Sequence, residues 1–238
     1  MTNNSKRKAD GLKKVLKPAF LATIPVMTGY LVLGFGFGII LNANNFSVLL
    51  AFSMSAFIYA GSMQYVAVSL LAGGASMITI ALTTLMVNAR HLFYGISMLD
   101  KYRGAGKRKP YLIFALTDET YSLVCHDNES ISEENRHDYY FLVSLFNHIY
   151  WIIGSVVGAI VGELISFNSR GIDFALTALF VTVFVEQWLS NKKHFPAIVG
   201  VAATALCLII FGSESFLIPS MLIIALMLCL YKGESKNE

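Results

Sequence analysis

The sequence predicts an all-α integral membrane protein, a helical bundle with seven or eight hydrophobic segments. Of its 238 residues, 55% are apolar and 14% are charged, whereas soluble domains carry about 25% charged residues. Residues 19–89 include no Asp, Glu, Lys, Arg or His, and this run is long enough for about three helical crossings of a bilayer core. The apolar runs are continuous, unlike the alternating segments of roughly ten residues in a membrane barrel.

Basic residues predict which segments face the cytoplasm. They cluster near the N-terminus and at residues 107–109, in each case beside an apolar segment, and short basic loops are retained on the cytoplasmic side. We therefore expect a cytoplasmic basic arm over residues 1–17, one transmembrane domain over 18–231 and a polar tail over 232–238. The net charge of +3 arises from these loops, so no nucleic-acid partner is indicated.

The first predicted span covers residues 19–41. Pro18 suits the first turn of its helix, and Pro25 is expected to interrupt the helix by freeing a backbone carbonyl. Gly34 and Gly38 are four residues apart, which allows a neighbouring helix to approach closely. A broken helix that lines a substrate path is the alternative interpretation of this glycine-rich stretch.

Hydropathy predicts two full spans over residues 47–99, but the distribution of basic residues predicts a different topology. Two full spans here would place the basic arm and the later basic loop on opposite faces. We therefore expect a helix that is broken at Ala60-Gly61-Ser62, so that residues 47–59 enter the membrane and residues 64–72 return to the same face. A full span over residues 76–99 follows. Two full spans, with an exception to the charge rule, remain the alternative.

Two polar clusters lie within this uncharged run and at its end. Gly61, Ser62 and Gln64 offer a hydroxyl, an amide and exposed backbone, which suit both ends of an amino-acid zwitterion. Asn88 and Arg90 add a guanidinium that can bind a carboxylate through two hydrogen bonds. Polar groups at membrane depth mark a substrate or ion path. The structural alternatives are a Ser–Gln pair between helices and an arginine that extends toward the headgroups.

A third cluster lies in the short apolar segment 111–125. Thr117, Asp118, Glu119 and Thr120 place two adjacent carboxylates in a poorly solvated stretch, where desolvation and mutual repulsion favour proton uptake. A proton-coupled carrier needs such a pair. The alternative is that the apolar segment ends there and both carboxylates are solvated.

The next predicted span covers residues 139–162 and follows an acidic, polar stretch that lies outside the bilayer. Gly154, Gly158 and Gly162 recur every four residues along it, which predicts a close-packing helix face. The span after it, residues 174–190, carries Glu186 and Gln187, either in the pathway or in a surface salt bridge.

Two short apolar segments, residues 195–211 and 216–231, close the chain. Each half of the sequence has a glycine-stepped helix, then a polar break, then a basic turn, which leaves an inverted repeat open. No HExxH, GxSxG, Walker or Cys/His metal spacing occurs, so we expect neither an enzyme nor a cofactor nor a metal. A membrane enzyme acting on a lipid-linked substrate through Asp118 and Glu119, and a non-transporting scaffold subunit, are the alternatives to transport.

Four stretches of the sequence resemble motifs of a known family. They are residues 59–64 (YAGSMQ), 88–95 (NARHLFYG), 115–120 (ALTDET) and 173–180 (DFALTALF). In this order, they resemble the AzlC family, the large subunit of bacterial branched-chain amino-acid exporters. The resemblance implies secondary export of leucine, isoleucine and valine, with methionine as a further candidate, across the bacterial inner membrane. It also implies a small AzlD-like membrane subunit as partner.

Overall fold

The structure is a computed structural model, and it describes residues 3–125, 131–164 and 194–216. Shorter stretches between and after these are also described: residues 181, 184–185, 188–189, 219–220, 222–224 and 226–228. The chain divides into two compact units, Met1–Leu176 and Thr177–Glu238. Whether residues 18–231 act as one transport domain stays a prediction, and the polar tail over 232–238 lies outside the described residues.

Eight α-helices are assigned over the described ranges. They are α1 (Asn3–Ala43), α2 (Val48–Phe57), α3 (Gly61–Ala72), α4 (Met77–Ser97), α5 (Lys109–Phe114), α6 (Asp118–Val124), α7 (Arg136–Leu164) and α8 (Phe195–Ser215). The apolar helical stretches Gly11–Ala43, Glu133–Leu164 and Phe195–Gly212 are long enough to cross a membrane. The predicted all-α membrane class is therefore confirmed.

Helices α1 and α7 run side by side in the same direction. The rings of Phe20 and Phe146 lie 5.9 Å apart, and further along both helices the backbones of Gly34 and Gly154 touch. A Cβ added at Gly34 would lie 2.9 Å from the amide nitrogen of Ser155. Residue numbers therefore rise together on the two helices, and small residues bring their backbones into contact.

The remaining glycines of the predicted packing face lie along the same line of contact. A Cβ added at Gly38 would overlap the backbone of α7, and one added at Gly158 would overlap the backbone of Phe35. At Gly162 the added Cβ would meet the side chain of Asn42 at 3.0 Å. These positions lie in a helix–helix interface, so the glycine-rich stretch of α1 is not a broken helix that lines a path.

Two expectations for the first span are wrong. Helix α1 continues through both Pro18 and Pro25, so Pro18 is not in the first turn and Pro25 does not interrupt the helix. The basic arm and the first span form one helix. Each proline removes one backbone donor, but α7 packs along the helix and holds its direction.

Helices α2 and α3 form a hairpin, here called the first hairpin, which enters the unit from the end where α1 finishes. The chain reaches α2 through a four-residue turn after Ala43. At the break, Tyr59 has a positive φ of 47°, and its ring lies 6.4 Å from that of Tyr30, near the middle of α1. Tyr65 of α3 then contacts Phe37, closer to the end of α1. Helix α3 therefore returns to the face from which α2 came.

The predicted fold-back is thus present, with the break at residues 58–60, about two residues before the expected position. A left-handed conformation is uncommon for a bulky residue such as Tyr59, and no residue type in this stretch marks it. The following helix, α4, runs in the opposite direction to α1 and ends beside the N-terminal part of α1, where Met98 and Val15 share a buried cluster.

Helices α5 and α6 form a second hairpin, which enters from the opposite end. Arg108, just before α5, forms an ion pair with Asp138 at the start of α7. At the tip, the hydroxyl groups of Tyr30 and Thr117 lie 2.6 Å apart. Val124 at the end of α6 is back in the cluster that contains Val15.

The short apolar segment over residues 111–125 therefore contains two helices, because the chain is broken at residues 115–117. Thr117 is extended, with ψ of 174°, and its side chain caps α6 by accepting a hydrogen bond from the amide of Thr120. A threonine followed by two acidic residues is a helix-start signal, and here it marks the break.

The buried cluster at the N-terminal end of α1 gathers segments that are distant in sequence. Its members are Val15, Ala19, Met98, Tyr102, Ala105, Leu112, Leu116, Val124, Tyr139, Tyr140, Leu142 and Val143. The basic arm, the basic loop after α4 and the start of α7 therefore lie at one end of the unit, as the orientation argument requires. Which side of the membrane this end faces stays a prediction.

A long helix followed by a hairpin occurs twice in this unit, first as α1 with α2 and α3, then as α4 with α5 and α6. The two hairpins enter from opposite ends, so the two pairs have inverted directions. This repeat is shorter than the one expected between the halves of the chain. In the second unit, α8 bends at Gly212, which has a φ of 71°. The predicted span 174–190 lies largely outside the described residues.

Candidate functional site

The tips of the two hairpins meet near the middle of α1 and α7. The ring of Tyr59 in the first tip lies 6.2 Å from the ring of Phe114 in the second. Gly61 begins α3 directly against Trp151 of α7, and a Cβ there would lie 3.2 Å from the indole ring. This contact explains why a glycine starts α3. The two breaks are thereby held at one depth inside the unit.

Arg90 of α4 joins the first turns of α3 and α6. Its Nη1 donates to Oδ2 of Asp118 in an ion pair, and its Nη2 donates to the hydroxyl of Ser62 at 3.0 Å. The arginine is therefore directed at the hairpin tips. Three predicted site residues, which belong to three different helices, meet at this point.

The ion pair between Arg90 and Asp118 leaves one donor and one acceptor without a hydrogen-bond partner. Nε of Arg90 and Oδ1 of Asp118 are buried, and no described residue bonds to either. Ala60, the residue before α3, provides no side-chain cap, and the first backbone N–H groups of a helix have no partner within it. Buried polar groups nearly always have hydrogen-bond partners. The arrangement can therefore receive a small ligand that carries both an anionic and a cationic group.

Gln64 is fully buried, and its amide is used within the bundle. Its Oε1 accepts a hydrogen bond from Nε1 of Trp151 at 2.9 Å, and its Nε2 donates to the hydroxyl of Ser55 at 3.3 Å. These bonds tie α3 to α7 and α2. Gln64 is therefore paired between helices, but its partners are Ser55 and Trp151 rather than Ser62, the residue expected in the structural alternative. Trp151 was not among the expected partners.

The two adjacent carboxylates have different partners. Asp118 is paired with Arg90, whereas Oε2 of Glu119 accepts a hydrogen bond from the hydroxyl of Tyr30 at 2.6 Å. Thr120 is buried and accepts a hydrogen bond from Asn147 of α7 at 3.0 Å. Sequence alone does not distinguish the two carboxylates. Among the described residues, only Asp118 of the two has a cationic partner.

Some predicted site residues are not brought to this point. Asn88 lies two positions before Arg90 on α4, and residues at that spacing point to different sides of a helix. Glu186 and Gln187 lie outside the described residues.

Three residues at or near the hairpin tips were not among the predicted site residues. They are Tyr30, Trp151 and His148. His148 could have been identified from the sequence, because Asn147 and His148 form a polar pair within an apolar span. No sequence feature singles out Tyr30 or Trp151, because aromatic residues are frequent throughout the chain.

Comparison with known proteins supports the architecture. The AzlC family profile, described as "AzlC protein", matches residues 25–165. The "Branched-chain amino acid transport protein AzlC" of Bacillus subtilis is 43% identical over 237 residues, covering 99% of this chain and 93% of the relative. An "Uncharacterized membrane protein" of Helicobacter pylori strain J99 is 41% identical, covering 93% of this chain and 96% of its own.

More distant relatives are also found. The "Inner membrane protein YgaZ" of Escherichia coli K12 is 26% identical over 183 residues, covering 76% of this chain and 75% of its own. No solved structure is significantly similar. Because the family profile covers more than half of the chain and the Bacillus protein is similar over nearly all of it, this multi-pass membrane protein belongs to the AzlC family.

Proposed function

We propose that the chain is a secondary transporter that exports branched-chain amino acids through the bacterial inner membrane. One observation carries the proposal: Arg90 joins the tips of two hairpins that enter from opposite ends. Charged side chains and broken helices at membrane depth are typical of transporter sites. The substrate class follows from the name of the Bacillus subtilis relative, with leucine, isoleucine and valine as substrates and methionine as a further candidate.

The groups around Arg90 suit both ends of an amino acid. The α-carboxylate binds the guanidinium of Arg90 and the free N–H groups at the start of α3, where the helix dipole favours an anion. The ammonium binds Oδ1 of Asp118. The hydroxyl of Ser62 adds a further hydrogen bond, and the rings of Tyr59 and Phe114 supply apolar surface beside this point for the substrate side chain.

In this proposal, substrate binding and hairpin movement are linked. The substrate carboxylate competes with Asp118 for Arg90, so binding weakens the ion pair that joins the hairpins. Because the hairpins enter from opposite ends, movement of one of them opens the site to one side at a time. Binding energy can shift such an equilibrium only through a difference in affinity between the two states, and the competition for Arg90 supplies that difference.

Proton coupling is assigned to Glu119, with Asp118 as its neighbour. Glu119 has a phenol as its partner, so gaining a proton would not break an ion pair. Thr117 and Thr120 position the first turn of α6 beside it. Glu186 and Gln187 remain predicted members of the same path.

The family resemblance supports a small AzlD-like membrane subunit as partner. The basic residues near the N-terminus support a cytoplasmic position for that end of the chain. Helix α4 is compatible with such a partner or with lipid, because it exposes a series of large apolar side chains. These are Leu82, Leu85, Leu92, Phe93 and Ile96.

The test is efflux of labelled leucine or valine from preloaded cells that express the chain with its small subunit. We expect Arg90→Gln to abolish efflux. Arg103→Gln is the matched control, because Arg103 also pairs with an aspartate, Asp100, but both side chains are more than four-fifths exposed; this variant should export at the normal rate. Normal efflux by Arg90→Gln in correctly inserted protein would contradict the proposed site. No efflux from cells with both unmodified subunits would contradict transport itself.

A further inference from the structure

A single residue of α7 contacts both hairpins. His148 is buried, with 8% of its surface exposed, and its Nε2 lies 3.1 Å from the carbonyl oxygen of Ser55 in α2. Its Nδ1 lies 3.1 Å from the hydroxyl of Tyr111 in α5. The imidazole also lies against the ring of Tyr59 at the first tip, with centroids 4.3 Å apart. Each ring nitrogen therefore holds a different hairpin.

The partners of His148 determine its tautomer. A carbonyl oxygen only accepts hydrogen bonds, so Nε2 carries the hydrogen and donates to Ser55. In the neutral ring Nδ1 is then an acceptor, and the hydroxyl of Tyr111 donates to it. The hydrogen bonds thus run in one direction, from α5 through α7 to α2.

The carbonyl that His148 binds belongs to the end of α2. Carbonyl groups in the last turn of a helix have no partner within the helix. The amide of Tyr59 donates to Met54 at 3.1 Å, so it does not supply a bond to Ser55. His148 provides that bond, and it therefore stabilises the end of α2 at the break.

The titratable groups that face the His148 ring are Tyr59 from the first tip and Tyr111 from α5; α2 presents a backbone carbonyl. Phe114 completes the surroundings from the second hairpin, at 5.7 Å. Among the described residues, no carboxylate, lysine or arginine bonds to the ring. Tyr59 contacts Tyr30, whose hydroxyl binds a carboxylate of α6, so contacts lead from the imidazole to the second tip.

We propose that His148 is a positioning residue that sets the spacing of the two hairpin tips, and that its protonation destabilises this arrangement. When a proton from water binds Nδ1, that nitrogen becomes a donor to the hydroxyl oxygen of Tyr111, and the hydroxyl hydrogen loses its acceptor and turns toward aromatic neighbours. The bond between α5 and α7 is thus reversed. The imidazolium is buried, and among the described residues no carboxylate bonds to it, so protonation destabilises the arrangement of the two hairpins around His148. The inference rests on the proposed transport function and adds a second proton-sensitive point, separate from the carboxylates of α6.

The test compares three substitutions in the purified full chain. His148→Gln preserves a donor for Ser55 and an acceptor for Tyr111 but cannot titrate. His148→Leu removes both bonds. His137→Gln is the matched control, because His137 lies on the same helix and its Nε2 is 3.2 Å from the carbonyl of Lys101, at the end of the unit away from the tips.

Exchange of labelled leucine is measured in proteoliposomes together with the small subunit, at equal pH on both sides from about pH 8 to about pH 5, where histidine titrates. We expect the unmodified chain and His137→Gln to show the same dependence of the exchange rate on pH. His148→Gln should lack the change in exchange rate that the unmodified chain shows as the pH falls. His148→Leu should lower exchange at every pH by about tenfold, the effect of losing one or two hydrogen bonds. An unchanged acid-side profile in His148→Gln would overturn the proposal.

A second measurement does not depend on transport. The midpoint of thermal unfolding in detergent is followed over the same pH range for the unmodified chain and His148→Gln. We expect the midpoint of the unmodified chain to fall relative to His148→Gln as pH decreases, because a proton on His148 places an unpaired charge inside the folded chain, whereas the unfolded chain exposes that charge to solvent. Parallel midpoints would refute the role of His148. Absence of exchange with a pH-dependent difference in midpoints would refute transport and leave the positioning role supported.

Discussion

The interface between α1 and α7 makes a quantitative prediction about Gly38. A Cβ at this position would overlap the carbonyl oxygen of Ser155 and the amide nitrogen of Ala159. Both atoms belong to the backbone of α7, so neither can rotate away as a side chain would. Gly29 lies nine residues earlier on the same helix, and a Cβ there would meet nothing within 4 Å. The two glycines therefore form a matched pair for substitution by alanine.

The expected magnitude follows from two opposing effects. Overpacking a tight interface costs about 1–3 kcal/mol, whereas alanine is favoured over glycine within a helix by up to about 1 kcal/mol. We expect Gly38→Ala to lower the free energy of unfolding by up to about 2 kcal/mol, which is the overpacking cost less the gain in helix propensity. Gly29→Ala should leave it unchanged or raise it by up to about 1 kcal/mol. Gly162→Ala should lie between them, because its new Cβ meets the movable side chain of Asn42.

The assay is reversible unfolding in mixed detergent micelles, followed by helical circular dichroism as the denaturing detergent is increased. The order of stability should be Gly29→Ala, then Gly162→Ala, then Gly38→Ala. The reciprocal substitution, Gly158→Ala, should behave like Gly38→Ala, because its Cβ would overlap the backbone of Phe35. Equal stability of Gly38→Ala and Gly29→Ala would show that α1 and α7 are not in backbone contact, and the packing argument would fail.

Two further predictions concern topology and coupling. Cysteines introduced near Asn3 and near Lys107 should label from the same face of the membrane, because the arm and the loop share one buried cluster; labelling from opposite faces would refute the fold-back of the first hairpin. Glu119→Gln should abolish efflux driven by a pH gradient while the protein remains inserted, and Asp118→Asn should do so by removing the partner of Arg90. Normal export by both variants, with a normal response to a proton uncoupler, would show that these carboxylates take no part in coupling.

Local patterns in the sequence predict much of the architecture. The long uncharged run requires helices that bury their own backbone bonds in lipid, and the glycine spacing of α7 predicts a close neighbour along one face. The first hairpin follows from the basic stretches at 1–17 and 101–109. Both are expected on the cytoplasmic face, so an even number of membrane crossings must separate them. Each of these features depends on residues that are near one another in the chain or on the number of membrane crossings.

The site depends instead on which distant groups become neighbours. Arg90 had two equivalent outcomes in the sequence, because a long side chain can extend to the headgroups or turn inward; Asp118 and Ser62, brought close by two separate hairpins, make the inward position favourable. The same holds for Gln64, whose amide is used by Trp151. Residue type states what a side chain can bond to, and only three-dimensional packing supplies the partner that it does bond.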